Sequence, residues 1–221
     1  MDFGAGPAAD CCLCPRLAAY RAQNRVALPG AHNAPVPVFG SADARLAVVG
    51  LAPGVKGANR TGRPFTGDFA GDLLYATLLE FGFARGRYQA RADDGLALAD
   101  CAIVNAVRCV PPQNKPTPAE TAACRPFLVD DLSRMGRLRA IVALGRIAHD
   151  SVVRTLGAKP GRVAFGHCAE HPMTVAGGAA VVLIDSYHCS RYNTNTGVLT
   201  PDMFRAVFAA VRRHLDKGAS P

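Results

Sequence analysis

Leu46-Ala-Val-Val-Gly50 is a short apolar run that stops at glycine, and three later runs share its form: Ala102-Ile-Val-Asn-Ala-Val107, Ala140-Ile-Val-Ala-Leu-Gly145 and Val181-Val-Leu-Ile-Asp185. Each is almost continuously apolar and rich in β-branched residues. That is the pattern of a strand buried on both faces, which favours a parallel sheet. Helical stretches lie between and after these runs. Asp68 to Phe83 carries Leu74, Leu78 and Phe81 at helical spacing. Thr117-Pro-Ala-Glu120 is a capping box with proline at the first helical position, opening a helix that runs to about Gly136. Residues 146–157 and 201–216 read as two more helices, the second opened by Thr200-Pro-Asp-Met. Strands alternating with helices predict a doubly wound α/β fold, with three α/β/α layers around a central four-stranded parallel sheet. Ligands in such folds bind at the carboxyl ends of the strands.

The chain has 221 residues, 49% of them hydrophobic, which suits one domain over 1–221. Residues 1–45, with their cysteines and prolines, read as an irregular N-terminal segment. No apolar run reaches the ~18 residues of a membrane span. The opening MDFGAGPAAD lacks the basic and apolar regions of a secretory signal, so a cytoplasmic protein is expected. Lys plus Arg is 25 against 17 for Asp plus Glu, a net charge of +8. Such an excess suits a nucleic-acid partner and equally suits a solvated surface. The eight cysteines are Cys11, Cys12, Cys14, Cys101, Cys109, Cys124, Cys168 and Cys189. In a reducing compartment they point to a metal site, to catalysis or to buried thiols rather than to disulfides.

Four groups of residues could carry chemistry. The first strand runs into Gly50-Leu-Ala-Pro-Gly54-Val-Lys-Gly57-Ala-Asn-Arg-Thr-Gly62-Arg-Pro-Phe65-Thr-Gly67-Asp68, a loop whose glycines let a ligand approach the backbone. It is neither a P-loop nor a G-x-G-x-x-G fingerprint, so it indicates an anionic or planar ligand and no more. Asn105 ends an apolar strand, where its amide either caps the following loop or offers a donor and an acceptor to a pyrimidine edge. Asp185-Ser-Tyr-His188-Cys-Ser-Arg-Tyr-Asn193 follows the fourth strand. Cys11-x-x-Cys14, with Cys109 and Cys124 far downstream and 14 residues between them, supplies thiolates for a four-iron cluster or a zinc. Cys12 fits this spacing less well, and Cys101 and Cys168 read as buried thiols.

The glycine loop resembles motif A of the uracil-DNA glycosylase superfamily, and its GLAPG…GANRTGRPFTGD form resembles family 5. Other families carry an acidic or amide residue where Leu51 and Ala52 stand here; its absence is itself a family 5 trait. The run at His188 resembles motif B, with Cys189 where the family usually has proline. His167 lies in a further shared segment and ranks below His188. The resemblance covers Cys11 to about Phe204 and implies a uracil-DNA glycosylase-like fold and a DNA glycosylase that hydrolyses the N-glycosidic bond of uracil. Asp68 and His188 would be catalytic. Phe65 would stack on the base and Asn105 read its edge, while Gly50, Ala52, Gly54, Ser190, Arg191 and Asn193 complete the substrate site. Cys11, Cys14, Cys109 and Cys124 would hold a structural 4Fe-4S cluster. Gly54 aligns with a tyrosine that excludes thymine in strict uracil enzymes, which implies a wider range including hypoxanthine, etheno-cytosine and mismatched thymine. DNA is the implied partner of a monomer, with some of Arg60, Arg63, Arg125 and Arg191 expected to meet its phosphates. Two rivals use the same residues differently: a metal-stabilised nucleic-acid-binding module without catalysis, and a phosphotransfer enzyme, for which no Walker lysine is present. A superfamily member that crosslinks to DNA would need an acidic opening box and a basic histidine loop that are absent here.

Overall fold

The four apolar runs pair with one another. The computed structural model describes residues 2–217. In chain order it carries α1 (Pro15–Ala27), β1 (Phe39–Gly40), β2 (Leu46–Gly50), α2 (Ala58–Thr61), α3 (Phe69–Glu80), β3 (Ala84–Arg85), β4 (Ala97–Leu98), β5 (Cys101–Asn105), α4 (Pro118–Arg134), β6 (Ala140–Leu144), α5 (Arg146–Thr155), β7 (Glu170–Thr174), β8 (Ala180–Ser186), α6 (Arg191–Asn195) and α7 (Pro201–Lys217). The main sheet has the order β1-β5-β2-β6-β8-β7. Its four central strands are parallel, as expected, and are buried along almost their whole length. Two short antiparallel strands at the edges, β1 and β7, extend it to a mixed six-stranded sheet.

Leu74 and Leu78 of α3 and Phe204, Phe208 and Val211 of α7 pack on one face of the sheet. Leu128 and Leu132 of α4 and Ala148 and Val152 of α5 cover the other. Thr117 caps α4 through the reciprocal bonds with Glu120 that its sequence announces. The chain leaves β2 towards β5 but leaves β6 towards β8, so the connectivity reverses between β2 and β6, where a ligand crevice opens in doubly wound sheets. Register aligns Gly50 with Asn105 and Leu144 with Ser186, bringing all three motif-bearing loops to one edge.

The N-terminal segment differs from the expectation for 1–45, since α1 and β1 both lie within it. The inward residues of α1 are Leu17, Arg21 and Asn24. Two of these are polar, so the helix shows no apolar stripe. Among the described residues no helix is long and apolar enough to cross a membrane.

Candidate active site

At that edge lies a cavity of about 440 Å³, walled by the loop after β2, the end of β5, the β6–α5 junction and the loop after β8. Ala52, Gly54, Phe65, Asp68, Asn105, His188 and Ser190, all expected site residues, line it together. Gly50 lies beneath them. A Cβ there would meet Asn105 Oδ1 and Phe65 Cζ, each at 2.6 Å, so only glycine lets these two side chains converge. Asn105 is buried, and its Oδ1 has no hydrogen-bond partner within the protein. A buried amide acceptor without a partner costs about 1–3 kcal/mol, so the site keeps an edge ready for a ligand.

Phe65 reaches this position through an unusual backbone. Its φ of 52° lies in the left-handed region, a costly conformation for a bulky residue and one that concentrates at ligand clamps. The peptide groups around it are held. Tyr75 Oη donates to Pro64 O at 2.6 Å, and Tyr88 Oη donates to Phe65 O at 3.3 Å. The two tyrosine rings stack at 4.5 Å. Beside them the Arg63 guanidinium lies within 5.2–5.8 Å of the ring centroids of Phe39, Tyr75 and Tyr88. It also forms a bidentate pair with Asp94 at 2.8 and 2.7 Å. Arg63, one of four arginines offered for phosphate contact, is therefore an interior residue that anchors the motif to the segment between β3 and β4.

Asp68 caps α3, accepting from Gly71 N at 3.2 Å, and also lines the cavity. Burial pushes its carboxyl above the ordinary value of 3.8, against the opposing backbone hydrogen bonds at the helix N-terminus. The helix alone would favour the ionised form, but loss of solvent wins. Burial pushes His188 below 6.5, so a neutral imidazole is favoured. Its ring lies 6.2 Å from that of Phe65.

The three peptide groups from Ser186 to Cys189 are fixed by side chains, the Tyr187–His188 one by Ser186 Oγ donating to Tyr187 O at 2.8 Å. His167 Nδ1 accepts from Tyr187 N at 3.1 Å, and Asn193 Nδ2 donates to His188 O at 2.8 Å. Cys189, in place of proline, is buried with its thiol donating to Ala70 O at 3.4 Å, and burial raises that thiol to about 12. Asn193 thus sits behind the cavity wall rather than in it. Arg191 is exposed, its guanidinium 5.2 Å from the Phe69 ring centroid, and it too lies outside the cavity lining. Ser190 caps α6 by accepting from Asn193 N.

Some lining residues carried no sequence signal. Asn114 follows Cys109 in a loop where both it and Gln113 have φ near 56°, and it joins the lining with Arg146 and Ile147 of α5. Gly54 leaves open space: a Cβ there would meet only Asp68 Oδ2 at 3.6 Å and Asn114 Oδ1 at 4.0 Å.

Cys11, Cys14, Cys109 and Cys124 line a second, much smaller pocket between α1 and α4. Cys12 points out to solvent. Burial raises the Cys124 thiol to about 11. Arg21 Nη1 donates to Cys109 Sγ at 3.4 Å, as Arg108 N does to Cys124 Sγ at the same distance. Arg21 Nε is buried here without a partner. Arg16 joins Glu120 at 2.7 Å and ties α1 to the start of α4. Among the described residues, the one trio of metal-type donors all within 4.8 Å of one another is His149, His171 and Asp185. There Asp185 is hydrogen-bonded by both histidines, at 2.7 and 3.0 Å, behind β8.

A doubly wound α/β domain with a cavity at its switch point, a strained aromatic wall and a buried unpaired amide is the class that fold and site define. The chain belongs to the uracil DNA glycosylase superfamily, whose family model matches residues 37–212. It is 42% identical over 208 residues to a type-5 uracil-DNA glycosylase of Thermus thermophilus, covering 92% of this chain and 93% of that protein. A type-5 uracil-DNA glycosylase of Pyrobaculum aerophilum is 39% identical over 202 residues, covering 90% and 86%. A type-4 uracil-DNA glycosylase of the same organism is 31% identical over 156 residues, covering 69% and 70%.

Proposed function

We propose that this protein hydrolyses the N-glycosidic bond of uracil in DNA and leaves an abasic site. The observation that carries this reading is Asn105: a buried amide with an unpaired oxygen, facing a cavity walled by an aromatic ring. A base reaches such a cavity only when flipped from the stack. Phe65 then stacks on it, and Asn105 pairs with its edge. As the bond from base to sugar breaks, its electron pair goes to the base, and neutral His188 donates a hydrogen bond to the base's carbonyl oxygen. Asp68 orients the attacking water and either accepts its proton or, staying ionised beside the cationic sugar, leaves that proton to the departing base anion. The water oxygen ends on the sugar carbon.

The open space at Gly54 supports a wider range that includes hypoxanthine, etheno-cytosine and mismatched thymine. Exposed Arg60 and Arg191 suit the phosphates, and the protein acts as a monomer in the cytoplasm.

The cysteine pocket fits an iron–sulfur cluster. Its donors are four thiols with N–H groups aimed at two of the sulfurs, and Arg21 Nε beside them has no partner. No three of these thiols come within 4.8 Å of one another, a wider spacing than the roughly 3.8 Å between sulfurs on a tetrahedral zinc. Cys11, Cys14, Cys109 and Cys124 would hold a 4Fe-4S group, which supplies a structural crosslink between α1, the loop after β5 and α4.

Incubating the purified protein with duplexes carrying single uracil, hypoxanthine, etheno-cytosine or mismatched thymine, then treating with alkali, tests the activity. Cleavage at uracil is expected. DNA binding without alkali-labile sites would instead support a non-catalytic binding module. Metal analysis should find about four iron atoms per chain, and stoichiometric zinc without iron would overturn the cluster.

A further inference from the structure

His167 makes two hydrogen bonds that together assign its proton. Its Nε2 lies 3.2 Å from the Met203 carbonyl oxygen, which can only accept, so Nε2 carries the hydrogen. Its Nδ1 lies 3.1 Å from Tyr187 N, which can only donate, so Nδ1 must present a lone pair. The ring is therefore neutral with one tautomer, and it bridges the start of α7 to the Ser186–Tyr187 peptide, one residue before the peptide that joins His188. It is held firmly. The Tyr187 ring packs 5.0 Å away, and the turn that presents it is fixed by Cys168 N donating to Asp185 O at 2.8 Å.

We propose that His167 is a positioning residue for His188, which holds the loop while Nδ1 is unprotonated and releases it on protonation. This rests on the reading that His188 donates to the leaving base. A proton on Nδ1 would oppose the Tyr187 N–H directly, removing one of the three side-chain anchors on the backbone around His188. Ser186 Oγ on the Tyr187 carbonyl and Asn193 on the His188 carbonyl would remain. Burial supports this by holding His167 below 6.5. A histidine depressed in this way favours the folded arrangement above 6.5, and that contribution is lost as pH falls through its native value.

The charged groups on the elements packed around it already have partners. Glu170 on β7 is bonded by His214 and Arg213 of α7, at 2.6 and 3.1 Å. Asp185 on β8 is held by His149 and His171, and Asp202 on α7 by Arg205. His188 beyond Tyr187 is itself depressed, so the experiment must separate its titration from that of His167.

Two amides make that separation. His167→Asn places Oδ1 where Nδ1 stood, keeping an acceptor for Tyr187 N–H that never titrates. His167→Gln extends its amide to the Nε2 position, keeping the bond to Met203 and losing the acceptor. Single-turnover excision of uracil from a duplex is measured on both sides of pH 6.5. His167→Gln should lose roughly 10- to 100-fold in rate with KM little changed, the scale of a small misplacement of a reacting group. His167→Asn should keep most of the rate at high pH and lose the acid limb of the wild type. Nitrogen-15 NMR of the histidine rings should show the Nε2–H tautomer. An unchanged acid limb in His167→Asn, equal loss in both variants together with melting temperature, or an Nδ1–H tautomer would each overturn the proposal. His188→Ala separates the two levels. If it abolishes excision while both His167 variants behave as wild type, this proposal fails alone. If His188→Ala excises normally, the reading beneath it fails as well.

Discussion

Replacing Tyr75 with phenylalanine removes a single oxygen, one that holds Pro64 O at 2.6 Å in the interior. Two outcomes are open to the protein. If Phe65 keeps its left-handed backbone, the Pro64 carbonyl keeps only the longer bond from Thr66 Oγ1 at 3.2 Å, and losing the tyrosine bond costs about 0.5–1.5 kcal/mol. For a chain of this size that lowers the melting temperature by roughly 1–6 °C, at about 2–4 °C per kcal/mol. If instead the backbone relaxes, the strain of ~1–3 kcal/mol at Phe65 is released and offsets most of that cost. The ring then leaves its place over Gly50. Because strain and clamp are of similar size, and Tyr88 holds Phe65 O only through a longer bond, we expect relaxation. The melting temperature should move by a few degrees at most. The lost stacking of ~1–3 kcal/mol should lower kcat/KM on uracil duplexes by roughly 5- to 150-fold. Differential scanning calorimetry beside single-turnover excision distinguishes the cases. A full drop in melting temperature with excision intact would refute the idea that the tyrosines hold Phe65 in its working conformation.

Asp68→Asn keeps the α3 cap, since asparagine caps as well as aspartate. It also removes a carboxyl raised above 3.8, whose stabilising contribution is fully present below 3.8 and is lost as pH rises through the native value. Its melting temperature at neutral pH should therefore hold or rise, while excision falls by about 10²–10⁴-fold; near-normal excision would leave Asp68 as a cap alone. Asn105→Ala should lose roughly tenfold more activity on uracil than on hypoxanthine, about the worth of one hydrogen bond, and equal losses would make Asn105 a scaffold residue. Arg191→Ala should lower the slope of log affinity against log salt by about 0.9, measured on undamaged duplex. Arg63→Gln should leave that slope unchanged and lower the melting temperature, and a reduced slope would place Arg63 at the DNA after all.

The parallel strands were legible because a strand buried on both faces must be apolar at every position, and Leu46–Gly50 and Ala140–Leu144 are. β7 was hidden for the converse reason: as an edge strand, Glu-His-Pro-Met-Thr is half solvated and tolerates a proline. α1 was hidden because it turns Arg21 and Asn24 inward beside the cysteines. The cavity followed the same division. Phe65, Asp68, Asn105 and His188 border it directly, and each stands at the end of a strand or in a glycine-rich loop, where sequence alone marks an exposed ligand edge. Arg63 sits in the same loop and was misplaced, because its burial is decided by Asp94 and three aromatic rings that no local pattern connects to it. Asn193 was named for substrate and is found holding the His188 carbonyl. Tyr75 and Tyr88 were not named at all. What touches a ligand is constrained by its own chemistry and can be read where it stands. What holds another residue in place is defined by a partner, and for Arg63, Tyr88 and His167 that partner lies twenty or more residues away. Only the folded sheet brings them together, and it does so at the switch point because three loops end there at a common register.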